Sequence, residues 1–509
     1  MGSRRRRHQV SGNYILSIDQ GTTGTTVILF NHQSDMVGKV YQEFTQYYPR
    51  PGWVEHDALE IWEGTLQLLD RVFQETGVNP SQVAAIGVTN QRETVVLWDR
   101  QTGKPVTRAI VWQCRRTAGM CDDLRRQGLE PLFKEKTGLV LDAYFSGTKL
   151  KWIFDQNPDL KGRAEKGELA FGTIDSWLIY KLTGGKKHIT DYTNASRTLL
   201  FNISELKWDH DLCDILGVPE EILPEVASCS EVYGHTVALG LLPAGIPVAG
   251  AAGDQQAALF GQACFEPGAM KATFGTGAFI LMNTGSQLIS STNGLVTTIA
   301  WGLNGKVQYA LEGSVFVAGA AVQWLRDEME LIDTAAETEN IALSVPDTNG
   351  LYFVPSFVGL GAPHWDPYVR GMIMGITRGV RKAHLIRATL EAIVYQTKEV
   401  VDVMAAEAKI PLTELKVDGG ASVNNFLCQF LADMTAVKVQ RPQVFETTAL
   451  GAAYLAGLAV GFWDSQEDIE RRWQAHGVYT PTMKPGDRLR LYNGWGKAVV
   501  SARSWVSDD

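Results

Sequence analysis

A short unit made of a strand, a Gly/Thr turn and a second strand occurs twice in this chain, once in each half. The first copy contains the strand Tyr14–Ile18, the turn Asp19–Gly24 and the strand Thr25–Phe30. The second copy covers Lys271–Met282, about half the chain later. Repetition of one such unit predicts two related lobes. Because strands alternate with helical patterns in both halves, we expect an α/β fold with a mixed sheet in each lobe.

Two further strands are followed by helices. Leu415–Gly420 has the pattern of a strand that ends in a Gly pair, and the apolar periodicity of Phe426–Met434 predicts a helix after it. The strand Ile246–Gly250 leads in the same way into a helix that begins at Asp254. These segments predict that polar and glycine residues collect where strands end.

The composition excludes several classes of protein. The chain has 509 residues, of which 45% are hydrophobic, and a net charge of −9. This apolar content is too high for a mainly disordered chain. The negative charge argues against nucleic acid as a partner, which requires an excess of Lys and Arg. No apolar run reaches the roughly 18 residues that a membrane span requires.

The chain is expected to divide into a short arm and two lobes. Residues 1–12, which include Arg4–Arg7, are polar and basic and are predicted to be a disordered arm. The lobes are predicted at 13–261 and 262–509, with the boundary near Gly261–Gly268. Six cysteines without a C-x-x-C motif indicate reduced thiols and therefore a cytoplasmic location.

The Gly/Thr turns suit phosphate groups. They expose backbone N–H groups and small hydroxyls, with little side-chain bulk to keep a ligand away. Asp19, at the end of a strand beside the first turn, is a candidate for holding Mg²⁺ through water, because hard cations prefer carboxylates. Two such turns could bracket a polyphosphate, with the third Gly pair under a base or ribose. The chain contains no Walker A motif, no dinucleotide fingerprint and no protein-kinase catalytic loop.

Several segments resemble the carbohydrate-kinase family that has an actin-like, or ribonuclease H-like, ATPase core. The similarity extends from about Tyr14 to Trp463 and includes the family's two fingerprint segments. The matching segments are Asp19–Thr23, Thr89–Glu93, Ile110–Arg115, Tyr144–Trp152, Gly253–Gly261, Phe274–Gly277, Gly371–Ile376, His384–Glu391 and Val417–Ala421. The segment Pro51–Asp57 further resembles the glycerol-specific branch of this family.

The resemblance implies two lobes with a cleft between them, and ATP-dependent phosphorylation of glycerol to sn-glycerol 3-phosphate. This product would feed glycerol catabolism and glycerolipid synthesis. Asp254 matches the general base, which accepts the proton of the attacking hydroxyl. The residues that match the family's glycerol site are Arg92, Glu93, Trp112, Tyr144, Asp254, Gln255 and Phe279. The implied partners are glycerol and Mg-ATP, and relatives commonly form homo-oligomers, either dimers or tetramers.

The resemblance also implies a nucleotide site. Its phosphate contacts fall on Thr22, Thr23, Gly24, Thr26 and Thr276, and its ribose and adenine contacts fall on Gly319, Gln323, Gly420 and Asn424. Thr26 departs from the family pattern, because many relatives carry Arg at this position. We therefore expect a Lys or Arg from the opposite lobe to compensate.

Two other functions remain compatible with these motifs, namely a kinase for another small polyol or ketose and a non-catalytic nucleotide sensor. Single residues also have simpler interpretations. Arg92 and Glu93 could form an exposed ion pair, Asp254 could cap its helix, and Trp112 could be a core residue. Because neighbouring strand residues point to opposite faces, Arg92 and Glu93 reach one ligand only if the strand ends or bulges there.

The residues around the start of the first long helix are interpreted as structural. Asp57, followed by Glu60, predicts the start of a helix with a capping box, and His56 is assigned to the same helix start.

Overall fold

The computed structural model describes residues 12–366 and 368–505. Nearly all of the predicted basic arm, including Arg4–Arg7, lies outside the described residues. The chain forms two compact units, and both are discontinuous in sequence. Among the described residues, unit 1 contains 12–263, 298–308 and 446–472, and unit 2 contains 264–297, 309–366, 368–445 and 473–505. The division of the chain into two lobes at 13–261 and 262–509, with a boundary near Gly261–Gly268, remains a prediction.

The strands found among the described residues are β1 (Tyr14–Gln20), β2 (Gly24–Asn31), β3 (Met36–Glu43), β4 (Glu55–His56), β5 (Val83–Asn90), β6 (Val96–Asp99), β7 (Ala109–Ile110), β8 (Leu169–Gly172), β9 (Ile189–Asp191), β10 (Phe201–Asn202), β11 (Lys207–Trp208), β12 (Glu225–Ala227), β13 (Ser230–His235), β14 (Pro247–Gly253), β15 (Ala269–Phe274), β16 (Ala278–Gly285), β17 (Val296–Leu303), β18 (Lys306–Val315), β19 (Tyr352–Val354), β20 (Met372–Met374), β21 (Glu414–Asp418), β22 (Val439–Pro442) and β23 (Ala475–Tyr479).

The helices in the same ranges are α1 (Ala58–Thr76), α2 (Ala118–Arg126), α3 (Glu130–Thr137), α4 (Ser146–Gln156), α5 (Pro158–Glu165), α6 (Ile174–Leu182), α7 (Tyr192–Ala195), α8 (His210–Leu216), α9 (Asp254–Gly261), α10 (Gly319–Asp327), α11 (Glu337–Leu343), α12 (Lys382–Ala408), α13 (Asn425–Thr435), α14 (Thr447–Val460), α15 (Gln466–Arg472) and α16 (Pro485–Ser504). No helix in the described part of the chain is both long and apolar enough to cross a membrane.

The main sheet of unit 1 has the strand order β13-β14-β5-β1-β2-β3. Its central strand β1 pairs antiparallel with β2 and parallel with β5, and β14 pairs parallel with β5. The carboxyl ends of β1, β5 and β14 therefore meet at one edge of the sheet. At this edge, β1 is followed by the first Gly/Thr turn, β5 by the segment that contains Arg92 and Glu93, and β14 by Asp254.

The second large sheet repeats this arrangement. Its order is β17-β18-β16-β15-β21-β22-β23. Strand β15 pairs antiparallel with β16 and parallel with β21, which in turn pairs parallel with β22. In both sheets, taken from β3 to β13 and from β18 to β23, the successive strand pairs are antiparallel, antiparallel, parallel, parallel and antiparallel. The prediction of an α/β fold with a repeated mixed sheet is confirmed.

Helix α14 fixes the position of α9 by packing backbone against backbone. A Cβ atom placed on Gly451 would lie 1.8 Å from the carbonyl oxygen of Ala257, and one on Gly261 would lie 2.0 Å from that of Thr447. Side chains at either glycine would force the two helices apart. Since α9 begins at Asp254, this close contact fixes the position of the candidate base relative to the sheet.

The start of α1 is only partly as predicted. Asp57 caps the helix by accepting a hydrogen bond from the N–H of Leu59. Glu60 does not complete a capping box, because its carboxylate accepts a hydrogen bond from the Tyr47 hydroxyl. His56 precedes the helix as part of β4. It is fully buried, with Nε2 2.7 Å from Gln46 Oε1.

Candidate active site

Arg92 and Glu93 follow the end of β5 and are both buried. The strand ends at Asn90, and Glu93 adopts a φ of 61°, which is rare for a residue with a side chain. This is the break in strand geometry that two adjacent side chains need to approach one ligand. The interpretation of an exposed ion pair is wrong, because the side chains of Arg92 and Glu93 are each only 1% exposed.

The Arg92 guanidinium joins several predicted site residues. Its Nε lies 3.2 Å from Asp254 Oδ1 and 3.7 Å from Glu93 Oε1. Its two terminal nitrogens donate to Tyr144 Oη at 3.2 Å and to Gln256 Oε1 at 3.1 Å. Three segments that are distant in sequence, at 92–93, 144 and 254–256, therefore converge on one cation.

Asp254 is the first residue of α9. Gly253 occupies the N-cap position, so the interpretation of Asp254 as the capping residue is wrong. Its side chain is 29% exposed and can therefore reach a bound molecule. The N-terminus of a helix favours a negative charge. Gln255 follows with its side chain buried.

Trp112 and Tyr144 form a half-buried aromatic pair. Their rings meet edge to face, with centroids 5.4 Å apart. The indole N–H of Trp112 donates to Thr22 Oγ1 at 3.0 Å, which connects the pair to the first Gly/Thr turn. Trp112 is therefore not a buried core residue, and the pair offers an apolar surface beside the polar groups of Arg92.

Two residues at this site were not predicted from the sequence. Arg197 is completely buried, and its Nε donates to Glu93 Oε1 at 2.7 Å. Gln256 accepts from Arg92 and also donates to Thr298 Oγ1 at 3.2 Å. Gln256 lies inside the motif Gly253–Gly261 and directly follows the predicted residues Asp254 and Gln255. Arg197 belongs to no motif, so only the fold reveals its contact with Glu93.

The carboxyl group of Asp19 is in an unusual environment. Burial above all, together with the negative charges of Asp254 and then Glu446, raises its pKa to about 8, and Lys39 opposes this shift. Neighbouring carboxylates that repel one another are suited to a divalent cation. No group of three or more His, Cys, Asp or Glu side chains with metal-site spacing occurs in residues 12–366 and 368–505. The donor set fits Mg²⁺, which takes one or two carboxylates together with water and phosphate oxygens.

The first Gly/Thr turn is narrow and open to solvent. The N–H of Gly21 donates to the carbonyl of Gly24 at 2.9 Å, while Thr22 is half-buried and Thr23 is exposed. Thr26 pairs with Asp19 across the β1–β2 ladder. Lys39 on β3 is a cation whose charge acts on Asp19, and it forms an ion pair with Glu446.

The second Gly/Thr turn, in unit 2, is held by backbone contacts. Thr276 is exposed at its tip, and its carbonyl accepts from the N–H of Ala318 at 2.9 Å. The N–H of Gly319 donates to Gly275 O at 3.0 Å, and a Cβ on Gly319 would lie 2.5 Å from the same oxygen. Phe279 follows on β16 and is half-buried.

The remaining predicted nucleotide contacts are also in unit 2. Gly419 has a φ of 82°, and a Cβ there would lie 2.4 Å from Phe274 O. Gly420 is exposed, and a Cβ there would meet no atom within 4 Å. Asn424 caps α13 by accepting from the N–H of Leu427, and Gln323 is exposed on α10.

Comparison with known proteins identifies the family. Residues 14–261 match the N-terminal domain, and residues 270–460 the C-terminal domain, of the FGGY family of carbohydrate kinases. A glycerol kinase of Caldanaerobacter subterraneus subsp. tengcongensis is 58% identical over 97% of this chain and 99% of that protein.

Solved structures agree with this match. The crystal structure of Plasmodium falciparum glycerol kinase with ADP has a TM-score of 0.91 and 38% identity, covering 96% of this chain and 98% of that one. A gluconate kinase of Lactobacillus acidophilus, at 23% identity and a TM-score of 0.87, covers 97% of this chain and 98% of its own and shares the fold. This chain therefore belongs to the FGGY family of carbohydrate kinases and, within it, to the glycerol kinases.

Proposed function

We propose that this protein transfers the γ-phosphoryl group of ATP to a terminal hydroxyl of glycerol, giving sn-glycerol 3-phosphate and ADP. The observation that carries this proposal is the convergence of Glu93, Tyr144 and Asp254 on the buried Arg92. A small triol has to exchange its hydrogen bonds with water for bonds with the protein. This cluster offers both the donors and the acceptors that three hydroxyls need.

Glycerol binding divides between polar and apolar groups. We assign Arg92 and Tyr144 to donate to hydroxyl oxygens, Glu93 to accept from hydroxyl groups, and Gln255 to accept or donate. Trp112 and, from unit 2, Phe279 are assigned to the carbon side of the molecule. An aromatic surface on that side also excludes water, which would otherwise compete for the phosphoryl group.

Asp254 is assigned as the general base. As the terminal hydroxyl oxygen forms its bond to the γ-phosphorus, the bond from that phosphorus to the ADP oxygen breaks, and the hydroxyl proton passes to the Asp254 carboxylate. The ion pair with Arg92 at 3.2 Å keeps this carboxylate oriented at the start of α9. Its partial exposure leaves it accessible to substrate.

Asp19 is the residue that would hold Mg²⁺, through water. Bound there, the ion would neutralise charge on the transferring phosphate. The chain itself supplies backbone N–H groups and hydroxyls of the turn at Thr22–Gly24 for phosphate oxygens, and we assign Thr26 to the same group. In unit 2 we assign Thr276 to phosphate, and Gly319, Gln323, Gly420 and Asn424 to the ribose and adenine. We also propose a homo-oligomer, a dimer or tetramer, to be checked by light scattering.

A coupled assay of ADP release tests this function. Wild-type protein with Mg-ATP should turn over glycerol far faster than xylulose, ribulose, gluconate or dihydroxyacetone. Asp254→Asn should lower kcat by about 10²–10⁴-fold, the usual contribution of a general base. Asp159→Asn is a matched control, because Asp159 also lies in the first turn of a helix but outside the site. Preference for a longer sugar would overturn the substrate assignment, and full activity of Asp254→Asn would overturn the base.

A further inference from the structure

A buried turn next to the site ties together the two strand ends that carry its main residues. The turn consists of Asp191, at the end of β9, and the short helix α7. Asp191, Thr193 and Asn194 are all fully excluded from solvent. Burying this many polar groups is costly unless each one is hydrogen-bonded, so their partners are informative.

Asp191 organises the turn. Its Oδ2 accepts from the N–H of Thr193 at 2.7 Å and from the Thr193 hydroxyl at 2.5 Å. Its Oδ1 accepts from the side-chain amide of Asn194 at 2.7 Å and from the N–H of Asn194 at 3.3 Å. The carboxylate therefore determines the direction of both neighbouring side chains.

Thr193 makes the contact nearest to the candidate base. Because its hydroxyl proton points to Asp191, its oxygen is left as an acceptor, and it accepts from the N–H of Gly253 at 2.8 Å. Gly253 is the last residue of β14 and directly precedes Asp254. A side-chain hydroxyl thus fixes the backbone at the point where strand β14 turns into helix α9.

Asn194 makes the corresponding contact at β5. Its amide and that of Asn90 exchange two hydrogen bonds, each of 3.0 Å. Asn90 is the last residue of β5, which leads to Arg92. One turn therefore fixes both partners of the Arg92–Asp254 ion pair.

We propose that Thr193, oriented by Asp191, is a positioning residue for the catalytic base Asp254. This inference rests on the proposed function, because it assigns Thr193 a part in the same reaction. An error of about 1 Å in the position of a reacting group can lower a rate by about a hundredfold. Loss of the hydrogen bond to Gly253 should therefore reduce the rate of the chemical step more than substrate binding.

The test compares three variants of the full chain. Thr193→Val removes the hydroxyl but keeps the shape, and Thr193→Ser keeps the hydroxyl. Thr190→Val is the matched control: Thr190 lies in the same segment and is also buried, and its hydroxyl donates to Asp175 Oδ2 at 2.7 Å instead of contacting the site. For each variant, kcat and KM for glycerol and for ATP are measured together with the thermal midpoint.

Thr193→Val should lower kcat by about tenfold or more, with both KM values within about twofold of wild type. Thr193→Ser should restore most of kcat, and Thr190→Val should lower the thermal midpoint without lowering kcat. The proposal is overturned if Thr193→Val keeps its kcat, if Thr193→Ser is equally impaired, or if Thr190→Val loses as much.

Two further experiments distinguish failure of this inference from failure of the proposed function. If Thr193→Val does not fold, Asp191→Asn replaces it. The side-chain amide of Asn has only one acceptor atom, so it cannot accept from both Thr193 and Asn194 as the two carboxylate oxygens do. The same fall in kcat is expected. If wild type prefers another polyol, the comparison is repeated with that polyol, and only the substrate assignment has failed. If wild type phosphorylates no polyol, both the function and this inference are overturned.

Discussion

Arg197 holds Glu93 from the protein side, with Nε 2.7 Å from Oε1 and both side chains excluded from solvent. The Ser146 hydroxyl also donates to the backbone carbonyl of Glu93 at 3.0 Å. These contacts stabilise the left-handed backbone at Glu93, whose φ is 61°. A conformation of this kind persists only where its surroundings determine it, and it is common at functional sites.

We expect Arg197→Lys to raise the KM for glycerol by about tenfold or more, with little change in the KM for ATP. Lys has a point charge in place of the planar fork of Arg, so it cannot reproduce the same buried geometry. Steady-state kinetics with each substrate varied in turn provide the measurement. Arg71→Lys is the control, because Arg71 makes an exposed ion pair with Glu75 at 3.0 Å. Equal effects on both KM values would contradict the assignment to glycerol.

A second prediction concerns the glycine beneath Arg92. A Cβ on Gly253 would lie 2.7 Å from both Cγ and Cδ of Arg92, whose guanidinium is already held by Asp254 and Tyr144. Gly253→Ala should therefore displace Arg92 and lower kcat/KM for glycerol by about a hundredfold, the cost of a shift near 1 Å. The kinetics and a crystal structure of the variant test this.

Gly162→Ala serves as the control for that variant. A Cβ on Gly162, in α5, would meet no atom within 4 Å, so activity and stability should be retained. If Gly253→Ala were as active as Gly162→Ala, the packing of Arg92 on Gly253 would not matter for catalysis.

The sequence predicts many of the residues of this site but not the residues that hold them in position. The repeated strand–turn–strand units, the helix that begins at Asp254 and the clustering of polar residues at strand ends follow from local periodicity and motifs. Arg197 and Thr193 were not predicted, because their segment has neither a periodic pattern nor a motif and acts only through contacts with distant strands. The packing of α14 on α9 was also not predicted, since the backbone contact at Gly451 joins segments that are distant in sequence.

A third prediction separates two adjacent glycines of unit 2. Gly420 is exposed and has open space around its Cα, so the fold does not require glycine there. If it contacts the nucleotide as proposed, Gly420→Ala should raise the KM for ATP severalfold and leave the thermal midpoint unchanged. Gly419→Ala should instead lower the midpoint, because Gly419 has a φ of 82° and a Cβ there would lie 2.4 Å from Phe274 O.

The control for Gly420 is Gly496→Ala, since Gly496 on α16 is equally open. This variant should keep both the KM for ATP and the thermal midpoint. An unchanged KM for ATP in Gly420→Ala would remove Gly420 from the nucleotide site.

The last prediction concerns the pH dependence of stability. Burial lowers the pKa of His56 to about 4. Its ring is held between Gln46 Oε1 and Gln91 Nε2, at 2.7 and 3.2 Å, an arrangement that a neutral ring satisfies by donating from Nε2 and accepting at Nδ1. Between pH 6.5 and 4 the unfolded chain therefore binds a proton at this residue that the folded chain does not. The stability contributed by neutral His56 is present above the unfolded pKa and is lost as the pH falls through this window, by about 1.4 kcal/mol per pH unit.

The measurement is the thermal midpoint of wild type and His56→Asn between pH 4.5 and 7.5. The advantage of wild type over the variant should be constant above pH 6.5 and should shrink steadily below it, since Asn takes up no proton. His210→Asn should show the opposite trend, because hydrogen bonding to Glu220 raises the pKa of His210, and its contribution is lost as the pH rises. A wild-type advantage over His56→Asn that does not change with pH would mean that the pKa of His56 is the same in the folded and unfolded chains. Its hydrogen bonds to the two glutamines would then need to be reassigned.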